Sequence, residues 1–243
     1  MLLLLMIGRL CAASPTDSLL TATPEHCGLR DSVALRLCRT HVAANPSSAP
    51  ARWREAYFAA TLANREKDET LREALLQEAR TQARWMTANQ PQTSDAWFVA
   101  ALSDAVDAQH CGSRRRVELS RSIRANLDRG LAVDSTHPGL LYLSGRWNYA
   151  LANLSGLEKT YVNLVLGGVP KGATNEAALK AFLHAVERRP DDMLFRLDLA
   201  RTLKAMGLKE RARTECVRAL AFPIRNDEDP LTHAKLQKLL KDL

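Results

Sequence analysis

The residues that could bind a metal ion lie near the N-terminus. His26 and Cys27 are followed by Cys38 and His41 in "CRTH". If residues 31–44 are helical, Cys38 and His41 share one face, but Cys27 lies too far back for one zinc ion to reach all of them without a hairpin. The pattern therefore favours ordinary helix packing, and five scattered cysteines are too few to predict a disulfide framework.

Aromatic and charged residues crowd together in "GRWNYALANLSGLEK", residues 145–159. One interpretation is a ligand pocket with aromatic walls, lined by Arg146, Trp147, Tyr149 and Lys159. The other is close packing, in which Gly145 admits a neighbouring helix and the aromatic residues project from a first helix. We favour packing, and we expect the apolar "YVNLVL" at 161–166 to fold back over this stretch.

Sequence patterns typical of catalysis are missing from the chain. It contains no nucleophile elbow, no Walker-type phosphate loop, no HExxH and no paired CxxC, and its six histidines are scattered. Glu158 and Lys159 are adjacent, so on a helix they would not face each other. The sequence therefore predicts a protein that is not an enzyme and that needs neither a cofactor nor a metal.

Positive charge exceeds negative charge, with 34 Lys and Arg against 27 Asp and Glu, and part of the excess forms a basic strip in "RRRVELSRSIRANLDR". The strip consists of Arg114, Arg115, Arg116, Arg121 and Arg124. It is either a docking surface for anions, which leaves peripheral membrane contact open, or a solvated helix face. Because no aromatic residue is interleaved, we expect no nucleic acid partner.

The first fourteen residues, "MLLLLMIGRLCAAS", resemble a signal peptide, with an apolar run and then Ala12 and Ala13. The run is too short to span a bilayer and has no positive residue before it. We expect an exported protein, periplasmic or associated with the envelope, if this leader is cleaved, and a cytoplasmic protein otherwise. Residues 15–243 are then expected to form one domain.

A repeat governs the rest of the chain, since Trp53, Trp97 and Leu141 lie 44 residues apart and are each followed by small residues. The clearest unit is "DDMLFRLDLARTLKAMGLKERARTECVRALAFP", in which Gly207 separates two helical patterns and Pro223 ends the second. It resembles the tetratricopeptide repeat. We predict an all-α, tetratricopeptide-like superhelix, a solenoid of stacked antiparallel helix pairs with "LTHAKLQKLLKDL" as its terminal cap.

Residues 130–243 carry a further resemblance. "LSGRWNYALANLSGLEK", "LGGVPKGAT" and "EAALKAFLHAVERRPDD" are similar to the regulator of microtubule dynamics family, tetratricopeptide-like proteins that also occur in bacteria as exported proteins. The resemblance implies a helical-repeat fold. Its animal members imply a role at microtubules and organelle membranes.

A protein-binding scaffold is the function that the repeat favours, with first helices lining a groove for a peptide or protein segment. Arg146 and Arg201 fall at equivalent positions of two units, and Lys204 lies one turn further on. Together with Trp147 and Tyr149 they form the predicted groove site, and the basic side chains predict an acidic peptide. The alternative is an architectural protein that uses its basic surface at a membrane or envelope. The sequence does not predict the oligomeric state.

Overall fold

The structure is a computed structural model, and it describes residues 19–21, 24, 29–156, 158–160 and 172–243. Three of the expectations above lie outside these residues: the leader at 1–14, the contribution of His26 and Cys27 to a metal site, and the cover formed by 161–166. Across the described residues, no helix combines the length and apolarity that a bilayer crossing requires.

The described residues include ten α-helices of at least twelve residues and no strand, which confirms the all-α prediction. The helices are α1 (Asp31–Ala44), α2 (Ala49–Arg65), α3 (Glu69–Asn89), α4 (Ser94–His110), α5 (Ser113–Val133), α6 (Pro138–Ala152), α7 (Asn175–Arg188), α8 (Met193–Ala205), α9 (Lys209–Leu220) and α10 (Asp229–Lys241).

Side-chain caps define several helix starts. Asp68, His137, Thr174 and Asp192 each accept a hydrogen bond from the backbone N–H three residues on, at 2.8–3.1 Å. Gly207 turns the chain between α8 and α9 with φ of +78°, a left-handed conformation that glycine adopts without a Cβ penalty.

A similar turn precedes α2, α4, α6 and α8 and sets the repeat register. In three of these turns a proline carbonyl accepts a hydrogen bond from a side chain six residues on: Arg52 Nε to Pro46 at 2.7 Å, Trp97 Nε1 to Pro91 at 2.8 Å, and Arg196 Nε to Pro190 at 2.8 Å. Arg52, and not Trp53, is therefore the structural equivalent of Trp97. The first repeat interval is 45 residues, and the predicted register of that unit is wrong by one residue.

The helices stack as antiparallel pairs in two layers. The helices α2, α4, α6, α8 and α10 contact one another in order and form the inner layer, while α3, α5, α7 and α9 pack outside them. A small residue follows each register position by four residues on the inner helices: Ala56, Ala101, Gly145 and Ala200, all buried. This arrangement is the predicted superhelix of helix pairs.

Gly145, at the start of "GRWNYALANLSGLEK", is a close-packing residue. A Cβ atom at this position would lie 2.6 Å from Cε1 of Phe182 on α7, well inside van der Waals contact. The Phe182 ring is 1% exposed and cannot move into solvent. The absence of a side chain at Gly145 therefore lets α7 approach α6 closely.

Replacing Gly145 by Ala should destabilise the protein by about 1–3 kcal/mol, because the new methyl group overpacks the site against Phe182. Chemical denaturation of the two proteins measures this difference. The matched control is Gly112→Ala, where a Cβ would meet no heavy atom within 4 Å. In a Phe182→Leu background the cost of Gly145→Ala should shrink. An equal cost in both backgrounds would contradict the packing assignment.

A carboxyl group is buried between α2 and α3. Glu55 is 4% exposed, and its Oε1 accepts a hydrogen bond from Gln82 Nε2 at 2.7 Å. Oε2 is buried without a hydrogen-bond partner. Burial, assisted by the negative charge of Glu78, raises the pKa of Glu55 to about 7. Near neutral pH this carboxyl group therefore changes its protonation state inside the fold.

The raised pKa predicts a loss of stability with rising pH. The folded state keeps the Glu55 proton between about pH 4.5 and about pH 7, whereas the unfolded chain loses it, so the unfolding free energy falls across this window by about 3 kcal/mol. Glu55→Gln removes the titrating group. The free energy of unfolding of Glu55→Gln, relative to that of the wild type, should therefore rise between about pH 5 and about pH 8. Denaturant melts at both pH values measure this, with the exposed Glu187→Gln as the control; a pH-independent difference would refute the prediction.

Candidate functional site

The inner helices enclose a groove that forms a cavity of about 300 Å³. Its walls come from α2, α4, α6, α8 and α10, together with the loop that precedes α10. Aromatic side chains line it at Tyr57, Phe98, Tyr142 and Phe195. The groove has the concave shape and the aromatic lining of a binding site.

Charges in the groove are balanced, and the groove is not basic. Among the described residues that line it, six side chains are basic and six are acidic. The basic residues are Arg65, Arg146, Arg189, Arg201, Arg225 and Lys235, and the acidic residues are Asp31, Asp191, Asp192, Asp198, Glu228 and Asp229. The surplus positive charge of the chain therefore lies outside the groove.

Three side chains converge on the carboxylate of Asp198, on α8. Tyr142 donates its hydroxyl to Oδ2 at 2.7 Å, and Arg201 donates through Nη1 to Oδ1 at 2.9 Å. Arg146 Nε lies 3.8 Å from Oδ2. The Asp198 side chain is 12% exposed, whereas each of the two arginine side chains is 40% exposed. The two arginines therefore share an internal anion and still face the groove.

Tyr142 is fixed on both sides. Its ring stacks on Phe195 with centroids 4.5 Å apart and planes 13° apart, and it contacts Phe182 with centroids 5.8 Å apart. Burial, reinforced by the Asp198 carboxylate, holds the pKa of Tyr142 well above its usual value. The phenol is therefore a permanent donor to Asp198 at physiological pH. It links α6 to α8 across the groove floor.

The structure brings together two of the five predicted groove residues, Arg146 and Arg201. Tyr149 lies nearby on α6, where burial raises the pKa of its phenol and the charge of Arg201 opposes this effect. Lys204, in the last turn of α8, lies outside the groove lining.

Trp147 does not share the groove with its neighbour Arg146. Its indole packs toward α5, and Nε1 donates to the Ser120 carbonyl and to Ser120 Oγ, both at 3.0 Å. The Arg124 guanidinium lies over the ring, 5.3 Å from its centroid. The indole lines a second cavity of about 760 Å³ between α4, α5 and α6, and Arg146 also belongs to the lining of this cavity. Arg146 thus lines both cavities, whereas Trp147, about 100° further around the helix, lines the second cavity and not the groove.

The remaining polar residues of "GRWNYALANLSGLEK" have local partners. Glu158 accepts hydrogen bonds from the backbone N–H and Oγ of Ser155, at 2.8 and 2.7 Å, which lower the pKa of its carboxyl group. Lys159 is exposed and its Nζ lies 3.4 Å from the carbonyl oxygen of Ala152. Neither residue enters the groove lining.

The predicted basic strip is largely occupied by contacts within the chain. Arg115 binds Asp107 at 2.7 Å, and Arg116 donates to the carbonyls of Ala108 and Cys111. Arg114 and Arg124 form exposed pairs one helical turn apart with Glu118 and Asp128, and Arg121 also has an interaction partner. Most of these contacts connect α5 to α4 or to itself, as on a solvated helix face.

Sequence reasoning missed Tyr142 and Asp198, although helical spacing offered a signal for both. Asp198 precedes Arg201 by three residues, and Tyr142 precedes Arg146 by four, so each pair shares a helix face. That the two faces meet could not be deduced from spacing alone, because they belong to different units.

Metal binding has no structural support in the part of the chain that the structure describes. No group of three or more His, Cys, Asp or Glu side chains there could hold a metal ion. Cys38 is buried in the core between α1 and its neighbours, as expected for a packing residue.

Stacked helix pairs around a concave groove define a tetratricopeptide-like helical-repeat protein. A thermophilic TPR protein of Thermus thermophilus has a similar fold, with a TM-score of 0.61 at 16% identity, covering 87% of this chain and 91% of that one. The chain belongs to the regulator of microtubule dynamics protein 1-3 family, whose sequence profile matches residues 20–243.

Animal relatives match over part of their length. Regulator of microtubule dynamics protein 3 of Bos taurus is 32% identical over 133 residues, which is 54% of this chain and 28% of the relative. The Rattus norvegicus protein 3 is 26% identical over 77% of this chain and 40% of its own length. Regulator of microtubule dynamics protein 1 of Caenorhabditis elegans is 29% identical, over 53% of this chain and 57% of its own length.

Removing the Tyr142 hydroxyl should weaken the connection between α6 and α8. Tyr142→Phe should cost about 1–3 kcal/mol of stability, because it leaves the buried Asp198 carboxylate with one donor fewer. Urea denaturation of Tyr142→Phe, Asp198→Asn and the double variant measures the coupling. Tyr149→Phe is the control within the same helix. Additive effects of the two changes would contradict the assigned hydrogen bond.

Proposed function

We propose that this protein is a non-enzymatic scaffold that binds an acidic peptide or protein segment in its groove. The observation that carries this proposal is the convergence of Arg146 and Arg201 on one carboxylate, Asp198, at the groove floor. A site that already holds one carboxylate between two guanidinium groups has the donor geometry to hold another.

The partial exposure of both arginine side chains supports binding from the groove side. Each is 40% exposed, and a guanidinium group has five N–H donors, of which Arg201 directs one to Asp198. A ligand carboxylate would approach these outward donors or would displace Asp198 from them. Asp198 therefore competes with the ligand carboxylate for the N–H donors of Arg146 and Arg201.

Aromatic neighbours support a peptide as the ligand. Tyr57 and Leu102 occupy the positions of α2 and α4 that are equivalent to Arg146 and Arg201, and both line the groove. At these equivalent positions the groove thus offers apolar and aromatic contacts from α2 and α4 and guanidinium groups from α6 and α8. A segment with an apolar residue followed by carboxylates would contact both pairs of helices.

The binding test uses a fluorescein-labelled oligo-glutamate peptide and fluorescence anisotropy. Arg146→Ala/Arg201→Ala should weaken binding at least about tenfold, because both charge-assisted contacts are lost. Asp198→Asn should tighten it about three- to tenfold, because the competing negative charge is removed. Arg114→Ala/Arg124→Ala, which removes the same charge from the basic strip, is the matched control and should change affinity less than about twofold.

Two results would contradict this assignment. Equal affinity of the wild type and the Arg146→Ala/Arg201→Ala variant would remove the groove as the binding site. Equal affinity for an oligo-glutamine peptide of the same length would remove the preference for acidic ligands.

A further inference from the structure

The two ends of the superhelix touch each other across the groove. The backbone N–H of Asp31, at the start of α1, donates to Asp227 Oδ2 at 3.1 Å, although the two residues lie 196 positions apart. Asp227 precedes α10, the last helix. The solenoid therefore closes on itself within the described residues.

Ion pairs reinforce this contact. Arg65, at the end of α2, binds both Asp31 of α1 and, at 3.3 Å, Glu228 of the loop before α10. Arg30 approaches Asp227 at 3.8 Å, and Lys235 approaches Glu228 at 3.6 Å. We define Arg30, Asp31, Arg65, Asp227, Glu228 and Lys235 as the clasp. Its three positive and three negative side chains balance.

Arg65 is the central residue of the clasp. Its side chain is 16% exposed, and those of Asp31 and Glu228 are 9% and 20% exposed. Charges at this depth are screened less than surface charges, and removal of one partner leaves the others uncompensated. Through these two carboxylates the Arg65 guanidinium binds both ends of the array at once.

The clasp also borders the groove. Asp31, Arg65, Glu228 and Lys235 all belong to the groove lining, alongside Tyr142 and Asp198. They lie on the side where α2 and α10, the first and last inner helices, face each other without a neighbouring repeat between them. This is the side on which the array would widen if its ends separated.

We propose that the clasp holds the array closed and controls access to the groove, and that separation of its ion pairs lets a partner segment enter from the side. The open form separates α1 and α2 from the segment before α10 without unfolding the helices. The inference concerns access to the groove and stands whether or not the occupant is acidic.

Hydrogen exchange measured by mass spectrometry tests the clasp without any ligand. Arg65→Gln should raise the exchange rate of peptides covering 29–36 and 224–230 about tenfold or more, because the clasp opens more often. The matched control is Arg80→Gln. Arg80 is 17% exposed and likewise binds two carboxylates, Glu73 and Asp107, but these connect only α3 and α4. Arg80→Gln should leave the hydrogen-exchange rates of both segments at their wild-type values.

Asp227→Asn provides a second, milder variant, since the Asp227 side chain is 31% exposed and lies outside the core. In a Thr61→Cys background, a bulky maleimide should modify position 61 in the groove faster when Asp227→Asn is present. The modified fraction of the peptide carrying residue 61 is read by mass spectrometry. Thr61 suits this purpose because it lines the groove on α2 and is not a member of the clasp.

Unchanged exchange at both segments in Arg65→Gln, or unchanged modification of position 61 in Asp227→Asn, would overturn the proposal. Faster exchange spread evenly over all ten helices would also overturn it, because that pattern reports global destabilisation. A failure of oligo-glutamate to bind would refute the proposed ligand but not the clasp. Hydrogen exchange and the modification of position 61 test the clasp independently of the ligand.

Discussion

The close approach of paired helices at small side chains is the constraint on which the rest of this structure depends. Gly145 leaves the space that the Phe182 ring fills, and Phe182 in turn packs against Tyr142. Protein interiors are packed as densely as organic crystals, so a ring cannot be displaced without moving the helix that carries it. The position of α7 thus fixes Tyr142, and Tyr142 fixes Asp198 through its hydrogen bond. The groove floor is a consequence of helix spacing.

The fold was predictable because its signals are local. Prolines at turns, small residues at helical spacing and the glycine at 207 each act within one helix pair, and all agree with one another. The register of the first unit was not predictable by residue identity. The side chain that donates to the proline carbonyl is an indole at Trp97 and a guanidinium at Arg52. Because Trp53 is adjacent to Arg52 and has the same residue type as Trp97, matching by residue type placed the first unit one residue too late. Two chemically different residues fill one structural role, because both have an N–H at the required distance.

The site was predictable only in part, since it depends on contacts between units. Arg146 and Arg201 follow from the repeat register, because equivalent positions of inner helices face the same groove. Trp147 does not line the groove, because the direction of a helical side chain is set by its position along the helix and not by its residue type. Contact between the two ends of the array reflects curvature accumulated over all helix pairs. No single pair in the sequence carries a signal for it.

In this molecule the surplus positive charge, which attracts acidic partners over long distances, lies outside the groove. The chain has a formal charge of +7, yet the groove is balanced, and the arginines of α5 mostly satisfy carboxylates and carbonyls of their own neighbourhood. A positive long-range potential raises the encounter rate of any acidic partner and decreases with salt. Under the proposed function, discrimination arises where Arg146 and Arg201 already hold Asp198, because a ligand gains there only if it binds those donors better than the internal carboxylate does. In that proposal Asp198 makes weak anions poor ligands and favours segments that also gain contacts along the aromatic wall of the groove.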